Sequence, residues 1–159
     1  MPDIDERSLE FLFTAVCNRQ WRPFLQALAK EMNAQLPDTE RRGLFYAMGR
    51  RMVEYLPTPD ASDLKRLEAS INEAWRAIDW GLVQVDETDD FISITHYCSP
   101  LRAAFGAESL VWTPALLEGV YAEWFAALGA GEDLVLRQHG DVTGADDAIE
   151  YRLAPDAQA

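Results

Sequence analysis

The hydrophobic period of this chain changes from about 3.6 to 2 at Trp80-Gly81, and that change points to a fold in which a cluster of helices comes first and strand pairs follow. Upstream, Trp21, Phe24, Leu25, Leu28, Met32 and Leu36 recur at helical spacing, and Pro23 is tolerated in a first turn that needs no backbone donor there. Pro37-Asp38 interrupts that helix. A second helix carries Leu44, Phe45, Met48, Met52 and Tyr55 until Pro57 and Pro59 end it, and the two are expected to pack as a hairpin. A third, capped by Asp60 or Ser62, runs through Leu64, Leu67, Ile71, Trp75 and Ile78, with Gly81 expected to supply its left-handed end.

Downstream the period is two. Residues 82–85 and 91–95 are rich in β-branched and aromatic side chains, and the polar Asp86-Glu87-Thr88-Asp89-Asp90 between them has the length of a hairpin loop. Thr113 is expected to cap a further helix with Pro114 at its first position, an apolar face of Leu117, Val120, Tyr121, Trp124 and Leu128, and Gly129 at its end. Residues 134–137 and 149–153 form a second strand pair. The predicted class is α+β: N-terminal helices followed by a small antiparallel sheet of β-hairpins with one further helix. Residues 1–20 read as an arm or short helix, 21–153 as one α+β domain, and 154–159 as a mobile tail.

At 159 residues and 48% apolar content, one domain buries enough surface to need no disulfide or structural metal, so Cys17 and Cys98 are expected to be reduced. Acidic residues outnumber basic ones 27 to 14, a formal charge of −13 that disfavours nucleic acid and anionic membrane as partners. A neutral polymer meets no such repulsion. The early acidic residues Asp3, Asp5, Glu6 and Glu10 do not fit a signal peptide, and no apolar run approaches the roughly 20 residues that span a bilayer. A cytoplasmic protein without direct membrane insertion is expected, with the periplasm as the alternative. Arg41, Arg42, Arg50 and Arg51 gather in one helix, as a solvated face or an ion-pairing surface.

Candidate chemistry is sparse. His96 and Cys98 are near each other, but only His139 and Cys17 remain to complete a metal site, and the alternation Ile92, Ile94, His96 places His96 on the apolar face of its strand. A buried, hydrogen-bonded histidine is the expectation. The loop of residues 86–90 lacks the glycine and terminal glutamate of a calcium loop. Glu118 and Glu123 are five residues apart on a helix, offset by about 140°, and do not converge as glycoside hydrolysis requires. No nucleophile or phosphate-loop motif appears, so neither catalytic residues, metal nor cofactor are expected. The chain carries five Trp, seven Phe and five Tyr, most of them expected in the core. Trp21 and Trp112 sit at element boundaries, which leaves contact with a glucan or another subunit open as the alternative to the core.

Several ordered motifs carry a family resemblance. Ala77-Ile78-Asp79-Trp80-Gly81-Leu82-Val83-Gln84-Val85 and Leu116-Leu117-Glu118-Gly119-Val120-Tyr121-Ala122-Glu123-Trp124 are its best-marked segments. Met48-Gly49-Arg50-Arg51-Met52, Ile94-Thr95-His96, Ser99-Pro100, Trp112 and Leu134-Val135-Leu136-Arg137 keep the same order around them. Together they resemble the D-subunit family of the bacterial cellulose synthase complex, the cellulose synthase operon protein D family. The resemblance implies a non-catalytic scaffold whose dimers build an octameric cylinder, guiding nascent β-1,4-glucan chains so that cellulose assembles in order. It implies as partners the catalytic and accessory subunits of the synthase, a small accessory protein of the same operon, and the glucan. Its motif residues are Trp80, Gly81, His96, Pro100, Trp112, Glu118, Gly119, Tyr121 and Trp124, in structural or interface roles. Phe11, Phe13 and Trp21 are the candidate contacts with glucan or a neighbouring subunit. The alternatives are a regulatory module binding a small ligand or haem beside His96, and a glucan-acting hydrolase.

Overall fold

The structure, a computed structural model, describes residues 16–156. Helix α1 spans Arg22–Gln35, with a proline in its first turn, and ends where Leu36, extended before Pro37, leaves the helical region. Helix α2 spans Asp38–Met52 and matches its macrodipole, with Asp38 and Glu40 in the first turn and Arg50 and Arg51 in the last. A 3-10 turn, Val53–Tyr55, precedes the prolines. Helix α3, Leu64–Ala77, is capped by Asp63, whose carboxylate accepts the Arg66 N–H at 2.8 Å. This corrects the expected cap: Asp60 instead accepts the Ser62 N–H, forming the turn that leads into the helix.

The expected hairpin of α1 on α2 does not form. Helix α1 rests on a five-residue helix, α4 (Leu101–Phe105), and α2 lies along α5 (Ala115–Ala127). Two glycines decide the second pairing. A Cβ on Gly49 would lie 1.9 Å from the Leu116 carbonyl oxygen, and one on Gly119 would lie 2.1 Å from that of Tyr46. Only hydrogen at both positions lets the two backbones approach so closely. Helix α5 is consequently buried almost all round, from Ala115 and Leu117 through Gly119 and Tyr121 to Trp124 and Phe125, because it lies between α2 and the sheet.

The junction of the helical and strand halves also departs from expectation. Asp79, not Gly81, takes the left-handed position after α3, with φ 57°. The Trp80 N–H donates to the Trp75 carbonyl at 2.9 Å and the Asp79 N–H to that of Arg76 at 3.3 Å, the two bonds of a Schellman end. The hydrophobic contact such an end calls for is the stacking of Trp80 on Trp75, with centroids 5.7 Å apart and planes 16° from parallel. Gly81 has its own reason: at φ 87° a Cβ there would meet the Tyr97 carbonyl oxygen at 2.1 Å.

Strands β1 (Leu82–Glu87), β2 (Ile92–Tyr97), β3 (Leu134–Thr143) and β4 (Ala148–Pro155) form an antiparallel sheet in the order β1-β2-β4-β3. The α+β class stands. Register puts Val83, Val85, Ile94, His96, Ile149, Tyr151, Leu153 and Leu136 on the face that meets the helices, and all are buried. Helix α3 seals the free edge of β1: Asn72 brackets Val83, accepting from its N–H at 2.7 Å and donating to its C=O at 2.9 Å, and Glu68 accepts the Val85 N–H at 2.8 Å.

Three further details differ from the sequence reading. Thr113 does not cap α5; it is fully buried and its hydroxyl donates to the Ser109 carbonyl, while Pro114 holds the N-cap position. Gly129, at φ 90°, ends α5 as expected. Helix α4 and the 3-10 turn Ala107–Val111 occupy a stretch where periodicity predicts no element. Strand β4 runs through Pro155, and Ala154, 1% exposed, belongs to the sheet rather than to a tail. Phe11 and Phe13 lie outside the described residues.

A methyl group discriminates the glycines of α2. Gly49→Ala should lower stability by about 1–3 kcal/mol or more through overpacking. Gly43→Ala, where nothing lies within 4 Å, should instead raise it by roughly 0.5–1 kcal/mol through helix propensity. Urea unfolding of both variants checks the opposite signs.

Candidate functional site

Four of the motif residues, Trp80, His96, Tyr121 and Trp124, converge on one buried cluster with Trp75. Strand β2 points His96 into the core, α5 supplies Tyr121 and Trp124 a turn apart, and the end of α3 supplies the two stacked indoles. The Trp75 and Trp124 rings are 5.2 Å apart, and His96 meets Trp75 edge-on at 5.4 Å. The polar groups form a directional chain. Trp75 Nε1–H donates to the Tyr121 hydroxyl at 3.0 Å, and a 2.6 Å bond joins that hydroxyl to His96 Nδ1. His96 Nε2 lies 2.7 Å from the Trp80 carbonyl oxygen, which can only accept. This assigns the neutral Nε2–H tautomer, so Nδ1 accepts from Tyr121.

Burial holds His96 neutral, pushing its pKa down from 6.5 to about 4 against the opposing pull of the Trp80 carbonyl. Burial likewise raises the Tyr121 phenol well above its ordinary value. Both imidazole nitrogens are occupied, so the histidine has none free for haem or another ligand. The cluster holds the fold together, joining α3, β2 and α5, and offers no group to react.

The remaining motif residues serve packing. Trp112 does not stand at a surface, the alternative that its place between elements left open; side chains of α1, α2 and α4 close around it. It is fully buried between Phe45 and Phe105, 4.7 and 6.3 Å away, under the Arg41 guanidinium, and its Nε1–H donates to Asn33 at 2.9 Å. That Asn33 also accepts from Arg41, tying α1 to α2 at one point. Pro100 stands before α4, and Gly81 and Gly119 are required by close backbone approach. Trp21 alone of the tryptophans stands out from the surface, 56% exposed and edge-on to Phe24.

Glu118 and Glu123 each meet an arginine of α2. Arg42 Nη2 donates to Glu118 at 3.2 Å and Arg50 Nε to Glu123 at 2.7 Å. The same Glu118 oxygen accepts the Gln138 N–H of β3 at 2.8 Å. The two carboxylates are thus separately tied. Arg42, Tyr46 and Arg50, at i, i+4 and i+8, form a stripe that the sequence does not mark as a site; its signal is the spacing, but its partners lie far along the chain. Between this stripe, α5 and β3 run two adjoining cavities of about 300 and 340 Å³, which share Tyr46, Val135 and Leu136 and so form one trough. Among the described residues no group of three His, Cys, Asp or Glu is placed to hold a metal, and both cysteines are free thiols.

The histidine gives the protein a defined acid response. The unfolded chain takes up a proton near pH 6.5 and the folded one only near pH 4, so the stability from neutral His96 is present above pH 6.5 and is lost as pH falls from 6.5 towards 4. The loss should reach roughly 3 kcal/mol. Urea unfolding between pH 7 and pH 4 should show that slope in the wild type and a shallower one in His96→Gln.

Known proteins resemble this chain in sequence and in fold. The family model for the D subunit of cellulose synthase matches residues 7–152. Two proteins of Komagataeibacter xylinus, each named cellulose synthase operon protein D, are 30% and 29% identical over 121 residues, 74% of this chain and 78% of theirs. Among solved structures, a trafficking protein particle complex subunit 3 from Naegleria fowleri, covalently bound to palmitic acid, aligns with a TM-score of 0.55 at 14% identity. The alignment covers 96% of this chain and 97% of that one, a likeness of fold alone. With the family model covering nearly the whole chain, this protein belongs to the D-subunit family of cellulose synthase.

Proposed function

We propose that the protein is a non-catalytic, self-associating scaffold of the cellulose synthase complex, which guides nascent β-1,4-glucan chains and orders their assembly. Family membership supports a role in cellulose synthesis and association with the synthase. The observation that carries the scaffold reading is the contrast between a sealed interior and an apolar exterior. The one histidine of the core is locked by hydrogen bonds, whereas Trp21 just before α1, Phe24 of α1, Leu44 and Met48 of α2, and Tyr55 project into solvent. Leu44 and Met48 are four residues apart, one exposed stripe of α2 offset by about 100° from the side where Phe45 and Gly49 pack. Exposed apolar side chains so arranged suit an interface between subunits.

In this reading dimers close into an octameric cylinder, and repeated passages around the ring align several glucan chains. The formal charge of −13 keeps such an assembly soluble. Its partners are the catalytic and accessory synthase subunits and a small accessory protein of the operon. Among the described residues no helix is long and apolar enough to cross a membrane, and the cytoplasm is the compartment we favour. The engaged nitrogens of His96 weigh against a ligand-binding regulatory site, and the separately paired Glu118 and Glu123 weigh against a hydrolase.

Light scattering coupled to size-exclusion chromatography should return a stable multiple, ideally eightfold, of the 17.9 kDa chain. Changing Leu44 and Met48 together to Glu should move the mass towards the monomer without altering far-ultraviolet circular dichroism. A wild-type monomer at every concentration, or release of reducing ends from cello-oligosaccharides, would overturn the scaffold.

A further inference from the structure

We propose that the trough between α2, α5 and β3 is a glucan-holding subsite, in which Tyr46 stacks on a sugar ring and the Arg50–Glu123 pair binds adjacent hydroxyls. The proposal rests on the reading of the protein as a glucan-guiding component and assigns that task to a particular surface. Arg42 and Arg50 stand at the ends of the trough, eight residues and therefore about 12 Å apart along α2, with Tyr46 midway. That length takes a short run of an extended oligosaccharide.

The chemistry of the lining fits a neutral, hydroxyl-rich ligand. Each guanidinium is paired with its own carboxylate, so the wall presents donors and acceptors side by side with little net charge. Arg50 spends only Nε on Glu123 and remains 56% exposed at its side chain, so both terminal nitrogens face solvent with hydrogens to donate. Among the described residues the Tyr46 hydroxyl has no hydrogen-bond partner, although its ring lines both halves of the trough. An aromatic face flanked by such pairs binds the apolar face of a pyranose while satisfying its equatorial hydroxyls.

The floor of the trough separates a glucan from a peptide. In an antiparallel sheet alternate residues of an edge strand turn their N–H and C=O outward. The Gln138 N–H points away from β4 to Glu118, so the N–H and C=O of Leu136, which lines the trough, point away from β4 as well. A peptide strand would need a run of such groups, but Glu118 already takes the Gln138 N–H and the Gly131 carbonyl takes that of Leu134. One free donor is too short a ladder for strand addition, whereas scattered sugar hydroxyls need no ladder.

Isothermal titration with cellohexaose tests the site in the full-length protein. The wild type should bind, and Tyr46→Ala should weaken binding roughly tenfold, as expected for loss of a ring contact. Arg50→Gln, on the solvent side of α2 and without effect on the core, should weaken it as well. Tyr55→Ala, which removes an 85% exposed ring outside the trough, should leave binding unchanged. Cellohexaose binding that survives both Tyr46→Ala and Arg50→Gln, or absence of binding by the wild type, would overturn the subsite. If the protein still forms its multi-subunit species in that case, the scaffold reading stands and only the trough is lost. Loss of a co-purifying polypeptide on Tyr46→Ala, with cellohexaose binding unaltered, would assign the trough to a peptide and equally overturn the proposal.

Discussion

Two hydrogens hold the architecture together: the side chains of Gly49 and Gly119. Any larger residue at either place would drive a carbon to about 2 Å from a carbonyl oxygen of the facing helix, 1.9 Å at one and 2.1 Å at the other. The close crossing of α2 and α5 that they permit has three consequences. It covers the outer side of α5, so a helix with Leu116, Leu117, Val120, Tyr121 and Trp124 on different faces can be stable in water. It brings Arg42 and Arg50 to Glu118 and Glu123. It also places the Arg42–Tyr46–Arg50 stripe over the edge of β3, which creates the trough.

The second organising element is the chain of hydrogen bonds through Trp75, Tyr121, His96 and Trp80. Burying these groups unpaired would cost about 1–3 kcal/mol each. Each donor and acceptor used in the chain has one partner, and the partners come from α3, α5, β2 and the turn into β1. The same bonds that register the helices on the sheet also hold the histidine neutral near pH 7 and leave neither nitrogen free to bind an ion. A core titratable group spent on packing, beside exposed Trp21, Phe24, Leu44 and Met48, fits the scaffold role we propose.

Where periodicity and structure agree or part, the causes are physical. The alternation Ile92, Ile94, His96 predicts a histidine in the core, and it is there because period two in a half-buried strand leaves few alternatives. Glycine adopts positive φ most easily, which makes Gly81 the expected left-handed helix end. Asp79 takes that position instead, allowed by its short polar side chain and held by the stacking of Trp80 on Trp75. Gly81 answers to a different demand, the Tyr97 carbonyl of the neighbouring strand. Helix α4 gives no sequence signal because its five residues make little more than one turn, too few for a hydrophobic period to repeat. A hairpin of α1 on α2 follows from adjacency in sequence, and adjacency loses to the closer fit of α2 on α5. The trough is illegible for the same reason: Tyr46 lies outside every motif, Arg50 is marked only as part of Met48-Gly49-Arg50-Arg51-Met52, and the two become a surface only when β3 arrives beneath them.

The approximate positions of the main helices and strands, the α+β class, the buried state of His96 and the family are all readable from the linear chain. Those properties are written in the period of neighbouring residues and in ordered motifs, which need no knowledge of distant partners. Packing in three dimensions alone settles that α2 pairs with α5, that Arg42 reaches Glu118 across 76 positions, and that β1 is sealed by Asn72 while β3 opens at Leu136. These depend on which backbones can approach closely enough to touch, and that is a property of the folded surfaces rather than of any local stretch of chain.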